Sequence, residues 1–459
     1  MKLIYNPSDK PKFGQNVVFA IQQILAIMAA TIAVPLIVGN GMSIAAAMFG
    51  AGVGTIVYLL FTKFKSPVFL GSSFAFLGPM AAAFAGASSM ALGYIGLILG
   101  AVFAGLVYVI LAIIVKLVGV NWINKLMPAA IIGPTVAIIG LSLAGSAVGD
   151  MTKGKVLENG ASVANPLIAF VVAFITLAVI VICSTYGKKT AKLFPFIIGI
   201  LAGYAVALIF TLIGMAAGIK AFRIIDFAPF EELVKDGVTL STFVKVPDFT
   251  FVTAKEGLAD FDVSYLISIA FAYVPVAFVV FAEHIADHKN LSSIIEKDLL
   301  KEPGLSRTLL GDGVGSMAGA LFGGCPNTTY GESVGCVAIT GNASTWTILF
   351  AAIGAIIISF ISPFVALVNS IPNCVMGGMC VTLYGFIAVS GLKMVQKVDL
   401  ENNRNLFVVS TILITGIGGL TLNFGTKADG SPLITITSIA MALILGIIVN
   451  WILSGKKDN

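Results

Sequence analysis

The chain has 459 residues, 58% of them hydrophobic and 11% charged, against roughly 45–50% and 25% in a soluble domain, and its mean hydropathy is +1.02. That is the composition of an integral membrane protein, with room for about fourteen spans of some 20 residues each and none for a large soluble domain. The excess of base, 27 Lys and Arg against 22 Asp and Glu, is scattered through short loops rather than gathered in a patch, so nothing points to nucleic acid.

Taken in order, the first apolar run, Val17 to Val38, is too long for a cleaved signal and is expected to be a retained first span. Hydropathy then predicts spans one to seven near 15–38, 42–62, 67–86, 91–116, 127–148, 165–185 and 193–217. A polar connection over 218–262 comes next, expected to be a small ordered cap or a mobile lid. Spans eight to fourteen are predicted near 263–286, 307–324, 326–340, 344–368, 372–391, 406–422 and 433–454. An odd number of spans per half makes the second half enter from the opposite side, as an inverted repeat requires. With the N-terminus inside, most of the basic residues, including Lys2, Lys63, Lys65, Lys125, Lys188, Lys189, Lys456 and Lys457, fall on the inner side, which makes both termini cytoplasmic. The five cysteines lie mostly in apolar runs without metal-ligand spacing and are expected to be reduced packing residues.

Two spans are poor helices. Span ten contains GGCPNTTYGESVG, Gly323 to Gly335, where Gly and Pro interrupt the apolar run and Glu332 puts a carboxyl at membrane depth; such a residue is costly in lipid and points to function. Span three contains SPVFLGSSFAFLGPM, Ser66 to Met80, in the equivalent position of the first half. Each reads as a short extended piece leading into a half-helix, starting near Ser72 and near Gly331. Broken segments at matched positions are the sequence mark of a transporter's binding site, because half-helix N-termini present free N–H groups and a positive dipole end.

The end of span eight reads FAEHIADH, Phe281 to His288, and holds both histidines of the chain. Glu283 and Asp287 stand four apart, on one helical face, as do His284 and His288, which lack the further ligands that a metal shell needs. His288, and in part Asp287, read as marking the cytoplasmic helix end, where charge costs little, with Glu283 deeper in the membrane. Asp312, in span nine, reads equally as a polar pin between helices or as a member of a relay.

Together AEHIADH, LGSSFAF, NTTYGESVG and KDLLKEPG resemble the nucleobase–ascorbate transporter family (nucleobase:cation symporters of the second type), in particular its bacterial uracil permease branch, and the similarity runs from the first span to the last. The resemblance implies an all-α polytopic membrane protein of about fourteen spans in two inverted repeats of seven, with strand and half-helix breaks in spans three and ten. Residues 1–118 (spans one to four) and 263–368 (spans eight to eleven) would form a core that carries the ligand. Residues 119–217 (spans five to seven) and 369–459 (spans twelve to fourteen) would form a gate, and 218–262 an extracytoplasmic connection. It implies a transporter rather than an enzyme, in the inner (plasma) membrane, often dimeric, that imports uracil by proton symport, with sodium as the alternative coupling ion and no cofactor or resident metal.

Carried over residue by residue, the resemblance puts Glu283 and Glu332 on the base as side-chain ligands and the backbone N–H of Phe74 and Gly331 as donors. Ala30, Phe74, Tyr330 and Tyr384 would line the pocket, and Glu283, Asp287 and Glu332 would carry the coupling proton, with His284, Ser73 and Asp312 in relay or structural roles. The chemistry agrees with this: uracil offers two N–H donors to carboxylates, two carbonyls to amide N–H groups, and flat faces to aromatic rings. The chain departs from the pattern at Asp287, which replaces the family's proton-linked histidine, at Ser333, which replaces the signature Asn, and at Gln22-Gln23, which replaces a Gln-His pair. Acid at 332, where purine transporters have Gln, favours a pyrimidine over xanthine or another purine. An anion channel or exchanger of similar architecture should instead bring basic residues to the half-helix ends.

Overall fold

The structure is a computed structural model that describes residues 3–119, 122, 127–188, 191–192, 194–426 and 432–454; Lys2, Lys125, Lys189, Lys456 and Lys457 of the charge pattern lie outside the described residues. The principal helices of the first half are α1 (Phe13–Val38), α2 (Ile44–Phe61), α3 (Leu77–Ala85), α4 (Met90–Val118), α5 (Ala129–Ser142), α6 (Pro166–Tyr186) and α7 (Pro195–Ala217). Those of the second half are α8 (Val263–Ile295), α9 (Leu305–Gly323), α10 (Gly331–Thr340), α11 (Thr345–Ile358), α12 (Asn373–Val395), α13 (Asn403–Ile417) and α14 (Ser438–Ser454). Among the described residues, eight helices are long and apolar enough to cross a membrane.

The helices sort by their packing partners. α9 lies along α2 and α4, α11 along α1 and α2, and α8 along α4, whereas α12 lies along α5 and α6, α6 along α7, and α13 along α5 and α14. Small residues set the closest approaches, as expected where lipid gives helices no hydrophobic reason to associate. A β-carbon on Gly50 would stand 2.3 Å from the carbonyl oxygen of Gly319, and one on Gly54 would stand 2.7 Å from that of Gly315. α2 and α9 therefore touch backbone to backbone, which brings the strand after α9 against the first group of helices. The two groups meet where α8 packs on α5 and α14 and where α1 packs on α7.

Both breaks contain a strand. β1 (Leu70–Ser72) and β2 (Asn327–Thr329) pair antiparallel, with Leu70 opposite Thr329, Gly71 opposite Thr328 and Ser72 opposite Asn327. The pairing extends through Ser73 N–H to Pro326 O (2.9 Å) and Tyr330 N–H to Phe69 O (3.2 Å), so the backbone groups that a broken helix frees are satisfied across the molecule. α10 starts at Gly331. On the other side the strand runs through Ser72, and a 3-10 turn at Phe74–Phe76 leads into α3 at Leu77, so this half-helix begins later than the sequence places it.

Three further features differ from the sequence reading, and a fourth, the connection, takes one of its two alternatives. α8 continues to Ile295, beyond the predicted end at 286, and ends at Glu296 in a left-handed conformation. The predicted span eleven divides into α11 and a separate helix, Ser362–Asn369. α13 stops at Ile417, just before Gly418 and Gly419, and is followed by a hairpin, β3 (Leu422–Thr426) paired with β4 (Pro432–Ile436); the alternating β-branched run Ile434, Thr435, Ile436, Thr437 favours strand over helix. The connection at 218–262 holds short helices, Ala228–Val234, Leu240–Phe243 and Thr250–Glu256. The first packs on Ser362–Asn369 and the third on α4 and α9, and Lys245 N–H bonds to Phe360 O at 3.0 Å. The connection is thus an ordered cap, held by a cluster in which Phe249 lies 4.8 Å from Phe49 and 5.4 Å from Phe322, ring centre to ring centre.

Candidate functional site

The paired strands hold the half-helices in place through side chains that bond across the crossing. Asn327 donates from Nδ2 to Gly50 O (3.2 Å), and its N–H donates to Ser316 Oγ (2.9 Å). Tyr330 lays its ring on Gly71 and donates its hydroxyl to Ser72 O at 2.9 Å. On the far side of α10's first turn, Ser333 Oγ accepts from Phe69 N–H (3.0 Å) and bonds to Gln23 Nε2 of α1. Ser333 and Gln23, two of the chain's departures from the family pattern, are therefore partners of each other.

A cavity of about 390 Å³ lies against this crossing. Its walls include Ser73, Phe74, Thr328, Tyr330, Gly331 and Glu332 from the crossing, and Glu283, Ala286, Asp287 and Asn290 from α8. Val136 of α5, Phe194, Pro195 and Phe196 at the start of α7, and Phe386, Ile387 and Ser390 of α12 face them. One wall is thus built of polar groups and half-helix N-termini, and the other mainly of apolar and aromatic side chains joined by Ser184, Lys192 and Ser390, an arrangement that suits a small flat polar ligand. The volume is at the low end of small-molecule sites. The α8 spacing works as the sequence suggests, since Glu283 and Asp287, one turn apart, both reach the cavity, as does Glu332. Asp287 is held by Thr329, whose hydroxyl donates to Oδ2 at 2.8 Å.

The other residues singled out in the sequence take different positions. Ser73 lines the cavity. Ala30 and Tyr384 are buried, 1% and 3% exposed, outside the cavity's lining; Tyr384 instead backs Phe74 edge to face, ring centres 5.5 Å apart. The two histidines face away from the cavity, into the helix packing. His284 Nδ1 lies 2.7 Å from Asp312 Oδ2 and Nε2 3.0 Å from Thr308 Oγ1. Thr308 Oγ1 also bonds to Leu305 O at 3.1 Å. His284 thus joins α8 to α9 inside the protein.

His288 corrects the sequence reading, which put it at an exposed helix end. It is fully buried, with Nδ1 donating to His284 O (2.8 Å) and Nε2 2.7 Å from Tyr58 Oη, which itself lies 2.7 Å from Ser66 Oγ. α8 goes on as a helix here because α2 and the loop after it supply the polar partners that water would supply at a helix end. Sequence reasoning missed Tyr58 and Ser66, which no periodicity connects to residue 288. It missed Thr328 and Thr329 as well, although both lie within the stretch it marked.

A family model described as Permease family (Xan_ur_permease) matches residues 14–424. The uracil permease of Bacillus caldolyticus is 37% identical over 100% of this chain and 96% of its own length. Those of Bacillus subtilis (37% identical, 98% and 95% covered) and Escherichia coli K12 (34% identical, 96% and 94% covered) are similar along almost the whole of both chains. Among solved structures, the transmembrane domain of the cyanobacterial bicarbonate transporter BicA superposes with a TM-score of 0.63 at 14% identity, over 97% of this chain and 99% of that one. SLC26A9 gives 0.60 at 10% identity, over 98% and 67%. At such identities these two likenesses speak for the fold alone.

Proposed function

Because this chain belongs to the Xan_ur_permease family, the nucleobase–ascorbate transporters, and to its uracil permease branch, we propose that it imports uracil by proton symport. It is a multi-pass membrane protein and a permease. The observation that carries the proposal is the convergence of Glu283, Glu332 and the N-terminal ends at Phe74 and Gly331 on one cavity. The carboxylates accept the two ring N–H groups, the backbone N–H of Phe74 and Gly331 donate to the carbonyls, and the Phe74 and Tyr330 rings bound the base. Carboxylates at a half-helix N-terminus suit a ligand with N–H donors and repel an anion, which sets this site apart from anion transport on a similar fold.

In this reading the fold is fourteen spans in two inverted repeats, with both termini cytoplasmic, in the plasma membrane. Residues 1–118 and 263–368 move as the core, and 119–217 and 369–459 form the gate, in a homodimer. A proton taken up from outside neutralises one carboxylate of Glu283, Asp287 and Glu332. Charge near the bilayer midplane costs at least about 3 kcal/mol, so that proton decides whether the loaded core can pass the apolar gate wall. Asp287, fixed by Thr329, takes the place of the family's titrating histidine. Uptake of radiolabelled uracil into proteoliposomes under an imposed inward proton gradient tests this. Accumulation that collapses with the gradient is expected; uptake that ignores it, or that follows sodium instead, overturns proton coupling.

A further inference from the structure

β2 and the residue after it present four consecutive polar side chains, Asn327, Thr328, Thr329 and Tyr330, each 3% exposed or less. Three are committed to the protein: Asn327 to Gly50 O, Thr329 to Asp287 and Tyr330 to Ser72 O. Thr328 is not. Its Oγ1 is buried with no hydrogen-bond partner among the described residues, and the residue lines the cavity. Several buried threonines on helices donate to the carbonyl four residues back, as Thr31, Thr55, Thr176 and Thr211 do, although Thr135 does not. A strand offers no such carbonyl, so the break in the helix frees this hydroxyl. Thr328 stands opposite Gly71 in the ladder, and Ser73, two residues on from Gly71, shares that face of it. Ser73 Oγ is also buried, without a partner among the described residues, and part of the cavity wall. Buried hydroxyls are nearly always bonded, and two unbonded ones on residues that line the same cavity, beside the Phe74 and Gly331 ends, point to a ligand.

We propose that Thr328 Oγ1, with Ser73 Oγ beside it, bonds directly to the transported base and helps set its specificity, donating to a ring carbonyl oxygen. The proposal rests on the nucleobase reading of the cavity. A carbonyl oxygen has two lone pairs, so it accepts from a hydroxyl and from a half-helix N–H together. Sulfur is a weak acceptor, so thio-substituted bases report on which carbonyl is contacted.

The test uses the full-length purified chain, with Kd measured for uracil, 2-thiouracil and 4-thiouracil. Thr328→Val keeps the side-chain shape and removes the hydroxyl, and Thr328→Ser restores it. Thr328→Val is expected to weaken uracil about tenfold and to shrink the preference for uracil over one of the two thio bases, while Thr328→Ser stays within about twofold of wild type. Thr328→Val that binds uracil within twofold and discriminates as wild type does overturns the proposal. If Thr328→Val fails to fold, Ser73→Ala measured in the same way carries the same two outcomes. A wild-type chain that binds none of the three bases overturns the nucleobase reading itself, and this proposal with it.

Discussion

Gly71 and Tyr330 meet at the centre of the molecule: a β-carbon on Gly71 would stand 2.2 Å from Cε2 of the Tyr330 ring. The glycine of LGSS and the tyrosine of NTTYGE, more than 250 residues apart in the chain, are therefore two sides of one contact, and Tyr330 Oη closes it on Ser72 O. Gly71→Ala must push the ring away or open the strand pair. Overpacking of this kind costs about 1–3 kcal/mol. The variant is expected to unfold at a lower temperature in detergent and to lose ligand affinity, and a smaller ring at 330, as in the double variant with Tyr330→Ala, should recover part of the stability. A single variant as stable as wild type would show that the strands do not need this approach.

Glu332→Ala tests the site most directly. A hydrogen bond to a charged partner contributes about 1.5–3 kcal/mol, so uracil binding should weaken roughly 10- to 150-fold. Thermal-shift titration reads it, and an unchanged affinity removes Glu332 from the site.

Asp312 and His284 pin α8 to α9 with both partners fully buried. Removing one partner of such a pair costs about 3–5 kcal/mol, because the other is left unpaired. Asp312→Ala should therefore lower thermal stability clearly, with Asp312→Asn milder since its amide still bonds to the imidazole. If both variants are as stable as wild type, the pair is not a pin.

The hairpin side offers a conformational test. A β-carbon on Gly78, in the first turn of α3, would lie 3.9 Å from Thr437 Cβ, at the foot of β4, within the roughly 3.5–4.5 Å that a disulfide requires. The double variant Gly78→Cys with Thr437→Cys is expected to cross-link on oxidation, to lose uracil uptake, and to regain it on reduction. Full uptake in the cross-linked state would show that core and gate do not separate here during transport.

Lys65 and Glu302 form an exposed bridge at 2.5 Å between two loops. The hydrogen bond and charge of Lys65 hold the Glu302 carboxyl below its usual range. A lowered folded-state pKa gives stability that is present above the usual range, near about 4.3, and lost as the pH falls through the lowered value. Because both groups are in water, salt screens the effect. Glu302→Gln is expected to leave the unfolding temperature unchanged in physiological salt at neutral pH, and a clear drop there would mean that the loops depend on the bridge.

The sequence by itself determined the membrane class, the order of the apolar segments and the two broken spans, because hydropathy and Gly/Pro interruptions are local properties of the chain. It also put Glu283 and Asp287 on one face, since a turn of helix lies between them, and its motifs carried the resemblance to the family. Only the tertiary structure decided that β1 pairs with β2, that Gln23 meets Ser333, and that His288 turns inward to Tyr58, because each of these joins segments whose separation in sequence carries no periodic signal. The extent of α8 was decided in the same way: the residues after Ala286 read as polar, and within the helix Asp287 is met by Thr329 and His288 by Tyr58. Thr328 shows both levels at once, since the break was legible in the chain, while the lack of a partner for its hydroxyl among the described residues depends on where every neighbouring segment lies.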